Sequence, residues 1–326
     1  PFKTIEGINL FYSKNKLKND FFFNIFGDEK KIDQELNKYK ISQNCYKIYH
    51  TTSAVADDET PITAIKNSKN SSMWNSVFSQ VNAVSDITLS AGNTGVLLVI
   101  SRMILKTFEG VSKPALAGLW PNNNGMNIVL DLGANIECDE NNLIEFAEMG
   151  AALHKSLFPS EEQKVALLNI GSEEIKGTET IKKAYSDLKN ISQKGDFVFN
   201  GYIEGNKITE GLSNIIVTDG FTGNVALKTA EGTAKFITDN LKKSLSENIF
   251  SKISILFSYF SLKKFKEKLD PRKYNGAIFL GLQGPVVKSH GSTDSLGFAY
   301  SIEMCNKIVE ADLIEQIKTH LISVDD

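Results

Sequence analysis

Short, nearly uninterrupted apolar runs recur along this chain, and each gives way to a turn rich in glycine and polar residues. Phe21-Phe22-Phe23-Asn24-Ile25-Phe26 ends at Gly27, Asp86-Ile87-Thr88-Leu89 at Ser90-Ala91-Gly92, and Asn127-Ile128-Val129-Leu130 at Asp131-Leu132-Gly133. Val165 to Ile170 ends at Gly171, Ile215-Ile216-Val217 at Thr218-Asp219-Gly220, and Pro285-Val286-Val287 just before His290-Gly291. Runs this short and this apolar suit strands covered on both faces, as in a parallel sheet. Amphipathic patterns over Leu143–Phe158, Ile181–Leu188 and Val225–Leu245 predict helices between them. Strand–helix alternation of this kind predicts an α/β fold: a three-layer αβα sandwich, doubly wound around a mostly parallel sheet. No internal repeat and no long Pro/Gly/Ser linker interrupts it, so residues 1–326 are read as one α/β catalytic unit.

One stretch departs from the alternation, a helical excursion at about 246–270. Ile249, Phe250, Ile253, Leu256, Phe257 and Phe260 recur at helical spacing, Lys252, Lys263, Lys264, Lys266 and Lys268 lie among and after them, and Asp270-Pro271 closes the segment. Such a stripe packs as a helical hairpin at a dimer interface, or it lays a basic amphipathic face with Ile253, Phe257 and Phe260 onto anionic lipid. The two readings are compatible if paired subunits share an apolar tip.

Composition narrows the class. Hydrophobic residues make up 41% and charged residues 23%, which is enough apolar mass for a packed core and far from a disordered chain. A net charge of −3 lacks the basic excess that nucleic-acid phosphates require. The longest aliphatic run, Val96 to Ile100, is far short of a membrane span. Cys45, Cys138 and Cys305 are too few and too scattered for a disulfide framework or a CxxC metal site, and an odd number suits a reducing compartment. No metal-ligand cluster and no nicotinamide fingerprint is present, so no bound cofactor and no metal are expected.

In open α/β sheets ligands bind beyond the carboxyl ends of the strands, and the least ordinary residues fall there. Ser90-Ala91-Gly92-Asn93-Thr94-Gly95 precedes a helix beginning near Val96. Its glycines let the backbone approach a ligand, and the helix N-terminus offers free N–H groups to an anion. Asn and Thr are also ordinary N-cap residues. Asn169-Ile170-Gly171-Ser172-Glu173-Glu174-Ile175-Lys176-Gly177 repeats the construction, as do Asp219-Gly220-Phe221-Thr222-Gly223-Asn224 and Lys288-Ser289-His290-Gly291-Ser292-Thr293. Four such turns carrying Asn, Lys, Asp and His predict a polar cleft for an anionic ligand, provided the turns converge. Of the four histidines, His290 alone lies in a Gly-rich turn, whereas His50, His154 and His320 sit in ordinary strand or helix contexts and are read as structural.

Taken together these strings resemble the bacterial phosphate acyltransferase family of phospholipid synthesis. The resemblance is carried by Asn70-Ser71-Ser72-Met73, Ser90 to Gly95, Lys113-Pro114-Ala115, Asp131-Leu132-Gly133-Ala134-Asn135, Leu167 to Gly171 and Lys176-Gly177. It continues through Asp219 to Asn224, Lys228, Glu231-Gly232, Gly281-Leu282 and His290-Gly291-Ser292, in family order to the last helix. There are departures. The family opens with a strand and an Asp-Ala-Met-Gly-Gly-Asp loop ending in a proline that aligns with Pro1. Lys113 and Lys66 stand where the family usually has arginine, and Thr293-Asp294 replaces Ser-Asn. The sequence is therefore read as lacking the family's opening strand and loop.

The resemblance implies an isopropylmalate dehydrogenase-like, Rossmann-like fold and attack of inorganic phosphate on the phosphopantetheine thioester of acyl carrier protein, giving acyl phosphate. Under that reading Ser90, Gly92, Asn93, Thr94 and Gly95 cradle phosphate, with Asn135 and Asn224 as polar positioners. Lys176 is the cation for phosphate or oxyanion. His290 protonates the leaving thiolate or donates to the oxyanion, and Asp219 orients His290 or Lys176. The resemblance also implies a cytoplasmic homodimer attached peripherally to anionic membrane, where a membrane glycerol-phosphate acyltransferase would use the product. Two other readings stay open: a short-chain phosphotransacetylase acting on acyl-CoA, and a non-catalytic membrane-docked scaffold.

Overall fold

The computed structural model describes residues 2–15, 21–39, 41–56, 58–193, 196–247, 258–265, 267 and 270–322. Among the described residues there are ten strands: β1 (Phe23–Gly27), β2 (Tyr46–His50), β3 (Thr88–Ser90), β4 (Ala115–Pro121), β5 (Met126–Leu130), β6 (Lys164–Asn169), β7 (Val198–Glu204), β8 (Ile215–Val217), β9 (Ala277–Leu280) and β10 (Val286–Lys288). The six apolar runs of the sequence correspond to β1, β3, β5, β6, β8 and β10. β2, β4, β7 and β9 were not anticipated; β9 carries the same apolar signature (Ala277-Ile278-Phe279-Leu280 before Gly281), and the other three lack it. β2 alternates polar with aromatic residues (Tyr46-Lys47-Ile48-Tyr49-His50), β4 is rich in small residues and ends in proline, and β7 is an edge strand interrupted by Asn200-Gly201.

β1 and β2 form a separate parallel pair, and the other eight strands form one sheet in the order β3-β10-β9-β4-β5-β8-β6-β7. The run β5-β8-β6-β7 is parallel, and β3 is parallel to β10. The contacts β10–β9, β9–β4 and β4–β5 are antiparallel. β3 and β10 therefore run opposite to β5, β8, β6 and β7, so turns that follow these two sets of strands leave opposite edges of the sheet.

Side-chain alternation builds the layers. Ile128, Leu130, Val165, Leu167, Ile215, Val217, Ile278 and Leu280 face one core with the helices Glu140–Leu157, Ser295–Glu310 and Leu313–Ile322. Val129, Ala166, Leu168, Ile216 and Phe279 face the opposite core with the helices Ser72–Val81 and Thr94–Leu105. Neighbouring residues of one strand enter different cores because successive side chains point to opposite faces. The result is the three-layer α/β architecture. A third cluster joins β1 and the helices Phe2–Lys14 and Glu29–Tyr39 to Phe298, Ala299 and Ile302.

The helix predicted over Val225–Leu245 starts earlier and spans Gly220–Ser246, about 40 Å at 1.5 Å per residue. Its distal half is exposed, including Phe236 at 68% and Ile237 at 54%. Of the apolar excursion, residues 258–265 are helical with Phe260 83% exposed, and Ile253 and Phe257 lie outside the described residues. Among the described residues no helix is long and apolar enough to cross a membrane.

Candidate active site

The four chemistry-bearing turns do not share one sheet edge. With the Asp131–Asn135 turn added they make five, which sort into two pairs plus the Lys176 turn. In the first pair, β3 ends at Ser90, whose Oγ accepts the Gly92 N–H at 3.2 Å. Asn93 caps the helix Thr94–Leu105: its Oδ1 accepts the Val96 N–H at 3.1 Å, and its Nδ2 donates to the Glu59 carbonyl at 3.0 Å. The first amides of that helix, those of Thr94 and Gly95, have no intrahelical acceptor and mark a positive end suited to an anion. A methyl group at Gly92 would sit 2.6 Å from Met73 Cε and displace the end of that side chain.

The neighbouring strand β10 brings the second turn alongside. The Ser289 N–H donates to the Ser90 carbonyl at 2.9 Å, and a β-carbon at Gly291 would lie 3.4 Å from the Ala91 carbonyl. His290 is thereby held beside the start of the Thr94 helix. Its N–H donates to Asn275 Oδ1 at 3.0 Å, and its Nδ1 meets Ser292 Oγ at 2.9 Å and the Ser292 N–H at 3.3 Å. A backbone amide can only donate, so Nδ1 is the acceptor and the proton of the neutral ring belongs on Nε2. Partial burial, reinforced by Lys228 and Lys288 and opposed by Glu231, holds the imidazole below its ordinary pKa. Neutral imidazole is thus the resting form at pH 7. Lys288 itself is buried, and its ammonium donates to the Ser289 carbonyl.

The second pair follows β5 and β8. Asp131 is fully buried and acts as the hub of its turn. Its Oδ1 accepts the N–H groups of Leu116 (3.0 Å), Gly133 (3.0 Å) and Ala134 (2.9 Å). Its Oδ2 accepts the Asn135 N–H at 2.7 Å and Asn135 Nδ2 at 2.8 Å. Burial raises the carboxyl pKa, and these hydrogen bonds work against the rise. The Gly220 N–H donates to the Asn135 carbonyl at 2.8 Å, which seats the next turn on this one. A methyl at Gly223 would collide with the Asp131 carbonyl, so only glycine permits the close approach. Asp219 caps the helix Gly220–Ser246, accepting from the Thr222 N–H at 2.8 Å and Thr222 Oγ1 at 2.7 Å.

Two sequence expectations change here. Asp219 makes no hydrogen bond to His290 or Lys176 among the described residues: its carboxylate accepts from Thr222, and the partner of the His290 ring is Ser292. Asn135 has both side-chain N–H groups in use, on the Pro114 carbonyl at 2.8 Å and on Asp131, so it holds the turn and has no N–H left to offer a ligand. Asn224 differs. It is exposed, lies against Gly133, and its amide has no hydrogen-bond partner among the described residues.

Lys176 stands in a third turn, after β6. Asn169 Nδ2 donates to the Lys176 carbonyl at 3.2 Å, and Gly177, with φ +95°, packs on the Asn169 carboxamide. The Lys176 side chain is exposed, with no ion-pair partner among the described residues. Among the described residues no hydrogen bond joins this turn to either pair.

The helix Gly220–Ser246 links the two pairs. Asn224, Lys228 and Glu231 follow at helical spacing along one face. Asn224 touches the Asp131 turn, while Lys228 and Glu231 reach the His290 end closely enough to act on its imidazole. Lys228 and Glu231 also pair with each other at 2.8 Å. Sequence reading passed over Lys228, Lys288 and Asn275 as site groups. Lys228 had a signal, being part of the family string, but the burial of Lys288 and Asn275 had none. Cys138, outside every motif, is brought next to Asp131 and Asp219. Burial first, and then Asp131, pushes its thiol up to about 11.

The family model described as "Fatty acid synthesis protein" matches residues 1–316. A phosphate acyltransferase from Pelagibacter ubique is 54% identical over 321 residues, covering 98% of this chain and 95% of that protein. One from Rhodospirillum centenum is 41% identical over 302 residues, covering 93% and 84%. Among solved structures, a phosphotransacetylase from Streptococcus pyogenes aligns with TM-score 0.63 at 16% identity, covering 95% of this chain and 91% of that one. A 4-hydroxythreonine-4-phosphate dehydrogenase from Klebsiella pneumoniae aligns with TM-score 0.52 at 10% identity, covering 94% of each. At these identities the structures speak for the fold alone. The near-complete family match and the shared name of relatives at 41–54% identity go further: this chain belongs to the fatty acid synthesis protein family and is an acyltransferase.

Proposed function

We propose that this acyltransferase moves a fatty acyl group from the phosphopantetheine thioester of acyl carrier protein to inorganic phosphate, releasing acyl phosphate for phospholipid synthesis. The observation that carries the reading is the hydrogen-bonded pairing of the Ser90–Gly95 turn with the His290 turn, which sets an anion-favouring helix end beside a neutral imidazole. Phosphate binds at the Thr94 and Gly95 amides, with Ser90 and Gly92 shaping the approach and Asn93 holding the helix end. One phosphate oxygen attacks the thioester carbonyl carbon, and the C=O electron pair moves onto oxygen. As that pair returns, the C–S bond breaks and the thiolate leaves, taking up a proton.

The Nε2–H of neutral His290 suits donation to the carbonyl oxygen as its charge develops, the largest single catalytic contribution in acyl transfer of this kind. A histidine held neutral is a poorer proton donor to the thiolate, so of the two roles implied by the sequence the oxyanion role is preferred. Lys228, which reaches the imidazole, supplies the cation for phosphate, Lys176 on the other sheet edge is left to meet the carrier, and Asn224 offers a free amide. The proposed route needs no enzyme nucleophile, and burial, which pushes the Cys138 thiol up to about 11, keeps that group protonated at neutral pH.

The partner readings rest on exposed surface. A second copy of the chain covers the apolar face of Phe236 and Ile237 on the distal helix, and Phe260 with the neighbouring lysines meets anionic membrane peripherally, on the cytoplasmic side. Liposome flotation tests the lipid contact: Phe260→Glu combined with Ile253→Glu and Phe257→Glu is expected to abolish flotation, and equal flotation would remove it. The main assay is phosphate-dependent loss of thioester from long-chain acyl carrier protein, run beside acyl-CoA. Turnover of the carrier substrate supports the proposal. Turnover of short acyl-CoA alone supports a phosphotransacetylase, and loss of neither thioester leaves the scaffold reading.

A further inference from the structure

The turn that carries His290 is anchored from below by one buried carboxamide. Asn275 sits between the short helical turn Pro271–Tyr274 and β9, and it is buried, as are Ser289 and Ser301. Its Oδ1 accepts the His290 N–H at 3.0 Å. Its Nδ2 faces three acceptors: Ser289 Oγ at 2.8 Å, the Gly297 carbonyl at 2.9 Å and Ser301 Oγ at 3.0 Å. Ser301 Oγ returns a hydrogen bond to the Asn275 carbonyl at 3.1 Å. One side chain thus ties three segments: the approach to β9, the turn after β10 and the helix Ser295–Glu310. It grips the Ser289–His290 peptide from both sides, on the Ser289 hydroxyl and on the His290 amide. A loop held by its own turn geometry alone would need none of this.

We propose that Asn275 is a positioning residue for His290, fixing the backbone from which the imidazole reaches the reacting carbonyl. The assignment rests on the proposed role of His290, and it adds how the fold holds that ring in register with the Thr94 helix end. Because Nδ2 and Oδ1 have different partners, neither Asp nor Leu at 275 reproduces the set: Asp lacks the donor, and Leu lacks both functions. The charged groups around the ring are Lys228 and Glu231 from the helix Gly220–Ser246 and Lys288 from its own strand. Protonation at Nδ1 would set two N–H groups face to face at Ser292 and turn the ring out of place, so the acid limb of the pH–rate profile follows the imidazole; a loosened turn exposes the ring to water, relieves the burial that holds its pKa down and moves that limb to higher pH.

The test uses the full chain and the acyl-carrier thioester assay between pH 5 and 9, with variants Asn275→Asp, Ser289→Ala and His290→Ala, and each of the first two combined with His290→Ala. Asn127→Ser serves as control, because Asn127 is a fully buried asparagine that donates to the Ile208 carbonyl, away from these turns. Expected are a 10- to 100-fold fall in kcat for Asn275→Asp, a smaller fall for Ser289→Ala, KM for phosphate within about threefold, and an acid limb raised by half a unit or more. In the His290→Ala background both changes should cost nothing further, since a residue acting through His290 has nothing left to position. Asn127→Ser should lower Tm without moving the limb. If Asn275→Asp does not fold, Ser289→Ala carries the same cycle alone. Costs that multiply in the His290→Ala background, with the limb unmoved, would reduce Asn275 to a structural residue. A His290→Ala enzyme of normal rate would overturn the role of His290 and this proposal with it.

Discussion

Two turns with similar sequence credentials do different work in this molecule. The turn after β5, Asp131 to Asn135, directs its polar groups inward: one carboxylate gathers five hydrogen bonds, and the Asn135 amide is used up on Asp131 and Pro114. The turn after β10 is held from behind by Asn275 and leaves an exposed imidazole with Nε2 uncommitted. Polar residues at a strand's carboxyl end are therefore not evidence of chemistry by themselves. What matters is whether their donors and acceptors are satisfied by the protein or left facing outward.

That contrast can be broken by substitution. The largest expected effect is on stability at the inward turn. Asp131→Ala leaves several buried N–H groups without an acceptor, and a loss of about 4 kcal/mol is expected from the usual cost of orphaned donors. Denaturant melts would check it, and a melt within about 1 kcal/mol of the parent would show that the hub is dispensable. At the outward turn, His290→Ala should leave the melt nearly unchanged and cut kcat about 100-fold, or roughly 2.7 kcal/mol of transition-state stabilisation. A folded variant of near-normal rate would remove His290 from the mechanism.

A buried and an exposed histidine sharpen the same point. His154 is completely buried against Phe158, and burial lowers its pKa to about 4. Its folded value lies below its unfolded value, so its neutral form favours folding above about pH 6.5. That contribution is lost as pH falls toward 4, reaching about 2 kcal/mol at pH 5. His154→Phe should flatten the stability curve across this window while leaving the pH–rate profile alone. For His290 the readout is activity: it should persist below pH 6.5 and fall only when the depressed imidazole takes a proton at Nδ1, which then no longer accepts the Ser292 N–H that holds the ring.

The smallest expected effect compares the two asparagines. Asn224→Ala should lower kcat/KM about tenfold, roughly 1.4 kcal/mol, with an unchanged melt. Asn135→Ala should cost about 1 kcal/mol or more of stability, with kcat within about threefold. Equal behaviour of the two variants would mean that hydrogen-bond satisfaction does not separate scaffold from site here.

Much of this was legible before the fold was known. Runs apolar at every position read as strands because both faces of those strands are covered, and the glycine-bearing turns after them were found at their ends. β2 and β7 were missed because alternating or glycine-interrupted strands do not carry that signature, and β4 because small residues replace the branched ones. Asp219 was assigned to chemistry because an Asp before a helix looks the same whether it caps the helix or faces a substrate. Asn275, followed by Gly276, reads in sequence as an ordinary turn. Only the packing of the helix Ser295–Glu310 against it makes it a buried clamp.

The amino-acid sequence on its own determined the α/β class, the family and the helix caps, because these depend on local periodicity and on short contiguous strings. Strand direction and order were decided only in three dimensions. The three successive antiparallel contacts β10–β9, β9–β4 and β4–β5 send the His290 and Asp219 turns to opposite edges and leave one long helix to span them. The reason is physical: pairing direction and burial are set by residues far apart in the chain, and no local pattern records them.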